Sequence, residues 1–337
     1  MQQTVEPIEL AAKPQKNTAA GERISGRTIG LVLSAAILFT ILTLQSSTFL
    51  SAYTMQILAR QTSLLVLVAL SQAFCLVVGG MNLSVGAIGG FTTVILGICM
   101  TRFNLGGAAT VPLILALGAA IGLISGEIIT RLKIDSFIVS LSMMFLYLGL
   151  RGGISGGYSY SVPQSFTWLG EGEILHVPDL FILMLIVLGI VSYTFTSTVF
   201  GRRLLATGGN VDAARLSGIN TDRMIVSANL LSGLFAALAA ILWVSKNNGV
   251  AAPQTGDDWL LDSFAVAIIG GTGLNGGSIS GLGILMGAII YTLIKQGLVE
   301  FKNLNPDYAP AFLGGLILLA IIVDRVREVS NTGKRGK

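Results

Sequence analysis

The chain has 337 residues, 53% of them hydrophobic and only 11% charged, with a net charge of +4 and a mean hydropathy of +0.78. An ordinary soluble domain carries about 25% charge, so the composition argues against a water-soluble globular enzyme of two domains, and the apolar content excludes disorder. The 42 glycines have no three-residue period, which excludes collagen; they suit helices that pack closely in lipid. An isoelectric point near 9.1 in such a chain points to basic cytoplasmic loops rather than to nucleic acid.

In chain order, residues 1–28 are polar and contain Lys13, Lys16, Arg23 and Arg27. The polar stretch is too long for a secretory signal and no small-residue cleavage site follows, so a flexible cytoplasmic tail is expected. A membrane helix needs about 20 mostly apolar residues. Ten runs qualify as candidate spans of an all-α polytopic protein: 29–49, 57–80, 84–100, 107–130, 136–150, 180–200, 224–244, 263–271, 281–298 and 308–323. The eighth is short and fades into a Gly-rich stretch. A permease domain over 29–324 and a cytoplasmic tail over 325–337 complete the division.

Lys and Arg set the orientation. With the N-terminus inside, fifteen of them fall on inner segments and six on outer ones. The inner group includes Arg131, Lys133, Arg202, Arg203, Arg215 and Arg223. The outer group is Arg60, Arg102, Arg151, Lys246, Lys295 and Lys302. The long segment 152–179 has no Lys or Arg but carries Glu171, Glu173 and Asp179, which puts it outside. Both termini are then cytoplasmic.

Cys75 and Cys99 fall at opposite ends of neighbouring spans and read as small hydrophobes, not a disulfide. The lone His176 supports no metal site. Gly118, Gly122 and Gly126 share one helix face and allow close helix contact. Glu127 and Arg131, four apart, read as an ion pair. Tyr158, Phe166 and Trp168 in the outer segment fit either partner anchors or interfacial aromatics.

Two inner connections, 80–86 and 271–281, have no charge. Uncharged Gly-rich turns suit backbone buried in protein or lining a cavity at membrane depth. Both contain G-G-x-x-L-x-x-G: Gly79, Gly80, Leu83 and Gly86 in the first, Gly270, Gly271, Leu274 and Gly277 in the second. Breaks in corresponding positions of two halves mark a transport path, although a glycine-rich chain also produces such a match by coincidence. Asn82 and Ser84 in the first break, with Thr272 and Asn275 in the second, are the candidate pathway groups. Asn82 and Ser84 also suit the start of the next helix as caps.

The inner connection 201–220 is the longest. Asn210 suits the N-cap of a short helix to which Ala213, Ala214 and Leu216 give an apolar side. Such a helix fits docking to a cytosolic partner; an ordinary basic loop fits the same residues.

These three segments together resemble the permease subunits of bacterial ribose-type monosaccharide ABC importers. That family carries G-G-I-D-L-S-V-G after its second span, and 79–86 is similar with two changes. It carries an inner A-x-G-G-N-x-x-A-A-x-L-S-G-I-N segment, matched nearly throughout by 206–220. Its L-G-G-T-x-L-x-G-G-x-G stretch is similar to 269–277. The resemblance covers nearly the whole chain after residue 28, and the inner segment is its specific part.

The resemblance implies that Gly208, Gly209, Asn210, Ala213, Ala214, Leu216, Ser217, Gly218, Ile219 and Asn220 couple the chain to a cytosolic ATPase subunit. It implies an extracytoplasmic sugar-binding protein against the outer loops, and a second permease copy, identical or homologous. The chain itself has no G-x-x-x-x-G-K phosphate loop, so ATP belongs to the partner and no cofactor is expected here. Asn82 stands where the family has Asp and Met81 where it has Ile, so a role requiring charge at that site is not carried over. The expected cargo is a small neutral sugar or polyol in the inner membrane of a bacterium. Charged cargo usually needs a counter-charge, and charges within the spans are nearly absent. Nucleosides and branched-chain amino acids are the alternative cargoes of an ABC permease, and an ion-coupled carrier is the alternative mechanism.

Overall fold

A computed structural model describes residues 26–46 and 48–300, with the isolated positions 311, 314 and 315. The N-terminal tail up to residue 25, nearly all of the tenth predicted span 308–323 and the C-terminal tail 325–337 lie outside the described residues.

The first nine predicted spans each have a helical counterpart. They are α1 (Gly26–Gln45), α2 (Ala52–Val77), α3 (Val85–Thr101), α4 (Gly107–Leu132), α5 (Ser136–Ser155), and, after the short α6 (Trp168–Glu171), α7 (Asp179–Ser197). Two helices of the inner connection follow, α8 (Val199–Gly209) and α9 (Val211–Leu216). The series ends with α10 (Thr221–Lys246), α11 (Trp259–Ile269) and α12 (Gly281–Glu300). Six of these are long and apolar enough to cross a membrane: α2, α4, α5, α7, α10 and α12 over Gly281–Val299. The apolar part of α1, with α3 and α11, falls short of that length. At 1.5 Å per residue α11 reaches only about 16 Å, half of a bilayer core.

Helix α2 is the central post, buried along most of its length and packed on α7, α10, α11 and α12. Helix α5, by contrast, exposes most of its apolar surface. The predicted glycine face of α4 does meet a neighbour. Cβ atoms on Gly118, Gly122 and Gly126 would strike Gly233, Asn229 and Val226 of α10, and Gly233 returns the contact against Gly118. These two helices touch backbone to backbone.

The segments predicted to lie outside gather at one end. There β1 (Tyr160–Ser161) pairs antiparallel with β4 (Val250–Ala251), Tyr160 opposite Ala251. A second ladder joins β2 (Glu173–Ile174) to β3 (Val177–Pro178). Arg60 donates to Glu171 O at 3.0 Å and pairs with Glu173 at 3.3 Å; Arg151 pairs with Asp257. At the opposite end lie both breaks, the α4–α5 junction with its Glu127–Arg131 ion pair, and α8–α9.

Two predicted boundaries are corrected. The sixth span was expected to run to residue 200, but α7 stops at Ser197. Thr198 is extended and its side chain accepts from Gly201 N at 3.1 Å, which starts α8 instead. Residues 201–209, expected as loop, are therefore helix. The eighth element begins at Trp259 rather than 263, and this draws Asp262 into the helix. Cys75 and Cys99 are both free and buried.

Candidate functional site

The first break ends α2 with a tight turn. Gly79 N donates to Leu76 O at 2.9 Å and Gly80 N to Cys75 O at 3.0 Å. Gly79 takes φ +80°, the left-handed value that glycine supplies at helix ends. Met81 N then donates to Ser136 Oγ at 3.1 Å, tying the break to the start of α5.

Asn82 and Ser84 are buried side by side. Asn82 Oδ1 accepts from Ser84 N at 2.9 Å and from Ser84 Oγ at 2.6 Å. Its Nδ2 donates to Ser232 Oγ of α10 at 2.9 Å. Ser71 Oγ of α2 donates to Ser232 O at 2.8 Å, which ties α2 to α10 beside Asn82. Asn82 thus fixes the turn and straps it to α10, two residues ahead of where a helix cap would act. Ser84 holds the N-cap position without a side-chain cap bond.

In the second break Thr272 is buried and its hydroxyl has no partner among the described residues. Asn275 is exposed, so these two expected pathway groups point to different surroundings. Contact between the two breaks runs through backbone. Gly277 N donates to Val77 O at 2.9 Å. A Cβ on Gly276 would lie 2.9 Å from Gly79 N.

Helix α8 enters the same junction. A Cβ on Gly208 would strike Val77 O and lie 2.7 Å from Gly277 N. One on Gly277 would lie 2.9 Å from Gly209 Cα. So α8 and both breaks meet at three glycines with no room for a methyl group.

The predicted short helix is present as α9. Asn210 Oδ1 accepts from Ala213 N at 2.9 Å and caps it. Gly218 ends it at φ +79°, with Ile219 N donating to Ala214 O at 3.0 Å. Asn220 Oδ1 accepts from Arg223 N at 3.0 Å and starts α10. Ser217 Oγ donates to Ala213 O at 2.9 Å, and Arg215 pairs with Asp222 at 2.7 Å. The expected apolar side divides: Ala214 is buried, whereas Ala213 faces out and Leu216 is 91% exposed.

One charged group inside the helices escaped the sequence reading. Asp262 is buried in α11 and pairs with Lys295 of α12 at 3.1 Å, and Tyr291 O–H donates to the same carboxylate. The membrane part is therefore not free of charge; it holds a matched pair. Tyr291 and Lys295, four apart on α12, are the sequence signal for a partner on a neighbouring helix.

Interrupted segments that meet inside a helical membrane protein are a feature of transporters. Residues 54–321 match the family described as the branched-chain amino acid transport system / permease component, and the chain belongs to that family, in its ribose-type group of ABC import permeases. It is 31% identical to the ribose import permease protein of Escherichia coli K12, over 88% of this chain and 93% of that one. It is 30% identical to the autoinducer 2 import system permease protein of Photorhabdus luminescens, over 89% of each chain. The fructose import permease protein of Rhizobium meliloti is 29% identical over 84% of this chain and 81% of its own. No solved structure matches the chain.

Proposed function

We propose that this chain is the membrane subunit of an ATP-driven importer that carries a small neutral sugar, a pentose, hexose or related polyol, into the cytoplasm. The relatives named for ribose, fructose and galactose import support the cargo class. The observation that carries the mechanism is the seating of Gly208 against both breaks at once. Helix α9 stands off that end with Leu216 exposed, a surface suited to an ATPase subunit that binds the ATP. Only Asn210 separates α9 from α8. A displacement of α9 therefore reaches Val77 and Gly277 through packed backbone, with no flexible side chain between to absorb it.

The excess of Lys and Arg favours a cytoplasmic α8–α9 end, on the same side as both termini. The opposite end, with exposed Tyr158 and Trp168, then receives a sugar-binding protein. A second permease copy completes the path across the bilayer. Of the four candidate pathway residues, Thr272 keeps an unpartnered hydroxyl among the described residues and is the group best fitted to meet passing cargo.

The test is uptake of radiolabelled ribose, fructose and galactose into proteoliposomes, with and without the ATPase and binding protein. Uptake should require both partners and ATP. Uptake by the chain alone under a proton or sodium gradient would overturn the reading.

A further inference from the structure

A cavity of about 140 Å³ lies between α2, α10, α11 and α12, at the end of the molecule that carries the strand ladders. Its rim holds exposed Gln254, Asp257 and Asp258. Half-buried Gln61, Trp243 and Lys295 form its walls, and buried Trp259 and Asp262 its floor. None of these residues belongs to the breaks or to α8–α9.

Most of the charge in this cavity is matched. Asp262 pairs with Lys295 at 3.1 Å and Asp257 with Arg151. Gln61 Oε1 accepts from Lys246 Nζ at 2.9 Å, which leaves its amide nitrogen as a donor. The carboxylate of Asp258 supplies acceptors. Trp243 and Trp259 stand edge to face, 6.0 Å apart, and supply apolar area with a preferred geometry. Amide donor, carboxylate acceptor and indole surface together fit a neutral polyhydroxylated molecule. An anion would meet Asp258, and an apolar ligand would leave these polar groups unpaired.

A second observation extends the site inward. Gln61, Leu65, Val68 and Gln72 fall at helical spacing on one face of α2. Gln72 is fully buried, and neither its oxygen nor its nitrogen has a hydrogen-bond partner. A buried amide with both ends unpaired costs stability, so leucine would serve the core better. The same stripe that lines the cavity thus carries, one turn deeper than Val68, an amide free to bond.

We infer that this cavity is the sugar vestibule of each permease chain, with Gln61, Asp258 and Trp243 as sugar contacts and Gln72 as the next polar station along α2. This rests on the transport reading above. The experiment separates the two. The full importer, reconstituted with its ATPase and binding protein, is first assayed as wild type with radiolabelled ribose, fructose and galactose. If none of the three enters in an ATP-dependent manner, the transport reading fails. If uptake occurs, Gln61→Ala and Asp258→Ala should each change the ratio of rates among the three sugars by about threefold or more, because each removes one directional contact. Gln72→Leu should lower uptake roughly tenfold while the unfolding temperature holds or rises, since an unpaired buried amide is replaced by an apolar group. Gln72→Met serves the same purpose if the leucine variant does not fold. Wild-type sugar ratios in both surface variants, together with wild-type uptake for Gln72→Leu or a loss that only follows unfolded protein, would overturn the vestibule while leaving the transport reading intact.

Discussion

Asn82 illustrates how one side chain holds a break between two helices in place. Its three hydrogen bonds, to Ser84 N, Ser84 Oγ and Ser232 Oγ, are all buried. Asn82→Ala removes the partner of Ser84 N and Ser84 Oγ, while Ser232 Oγ keeps Ser71 Oγ at 3.2 Å, and each lost buried partner costs about 1–3 kcal/mol. The expected result is a lower unfolding temperature in detergent, with uptake per folded protein near wild type. Asn82→Asp keeps both acceptor bonds and loses the donor, which Ser232 Oγ replaces by rotating its own proton toward the carboxylate. That variant should be the milder one. Specific uptake abolished in a well-folded Asn82→Ala would show that the residue meets cargo directly.

The Asp262–Lys295 pair makes a separate prediction at the same scale. Lys295→Met strands a buried carboxylate and should cost about 3 kcal/mol. The double change Asp262→Leu with Lys295→Met should recover most of that, because removing both charges also removes their desolvation. A single and a double variant of equal stability would contradict a matched pair. In the sequence only the spacing of Tyr291 and Lys295 hints at this pair, and nothing there names Asp262 as their partner. Asp262 sits one residue before the apolar run that marks the eighth span, and Lys295 reads as a charge near the outer end of the ninth. Only the position of helix α11, begun at Trp259, brings them together.

Among the elements, the breaks were legible and helix α8, which packs against both, was not. Segments 80–86 and 271–281 betray themselves by the absence of charge in a place where a turn in water would carry some. Residues 201–209 read as loop because Gly201, Gly208 and Gly209 lower helix propensity. Tertiary contact overrides that: Gly201 is seated on Thr194 and Phe195, and Gly208 on Val77 and Gly277. The glycines are there for close approach, which propensity alone cannot reveal. Gly208→Ala forces a methyl group into Val77 O. Overpacking of this kind typically costs about 1–3 kcal/mol, and here the strain falls on the joint between α8 and both breaks. The variant should hydrolyse ATP with its partner yet import poorly, measured as sugar moved per ATP consumed. Gly122→Val, which strikes Asn229 of α10, should lose stability by a similar amount but keep the wild-type ratio of sugar to ATP in whatever protein folds.

At the scale of the whole molecule, the charge count and the fold agree on which segments share an end, and they reach that agreement independently. Arg60, Arg151 and Lys246 all fall at the end with the two strand ladders. Arg131, Arg202 and Arg215 fall at the other, with the breaks. Packing contacts decide the grouping but carry no information about the membrane; the excess of Lys and Arg does, because basic loops stay in the cytoplasm. The ladder end should therefore face outward. Tyr158 is 77% exposed there, and Asp212 is exposed on α9 at the opposite end. Single cysteines at these two positions, in a chain with Cys75 and Cys99 replaced by alanine or serine, give a direct reading. A membrane-impermeant thiol reagent should label Tyr158→Cys in intact cells and label Asp212→Cys only after the membrane is opened. Binding of the ATPase should then protect Asp212→Cys and leave Tyr158→Cys reactive, because the docking surface proposed above is α9, at the opposite end from Tyr158. Labelling of Asp212→Cys in sealed cells would invert the molecule and remove the ATPase from the end where the breaks meet.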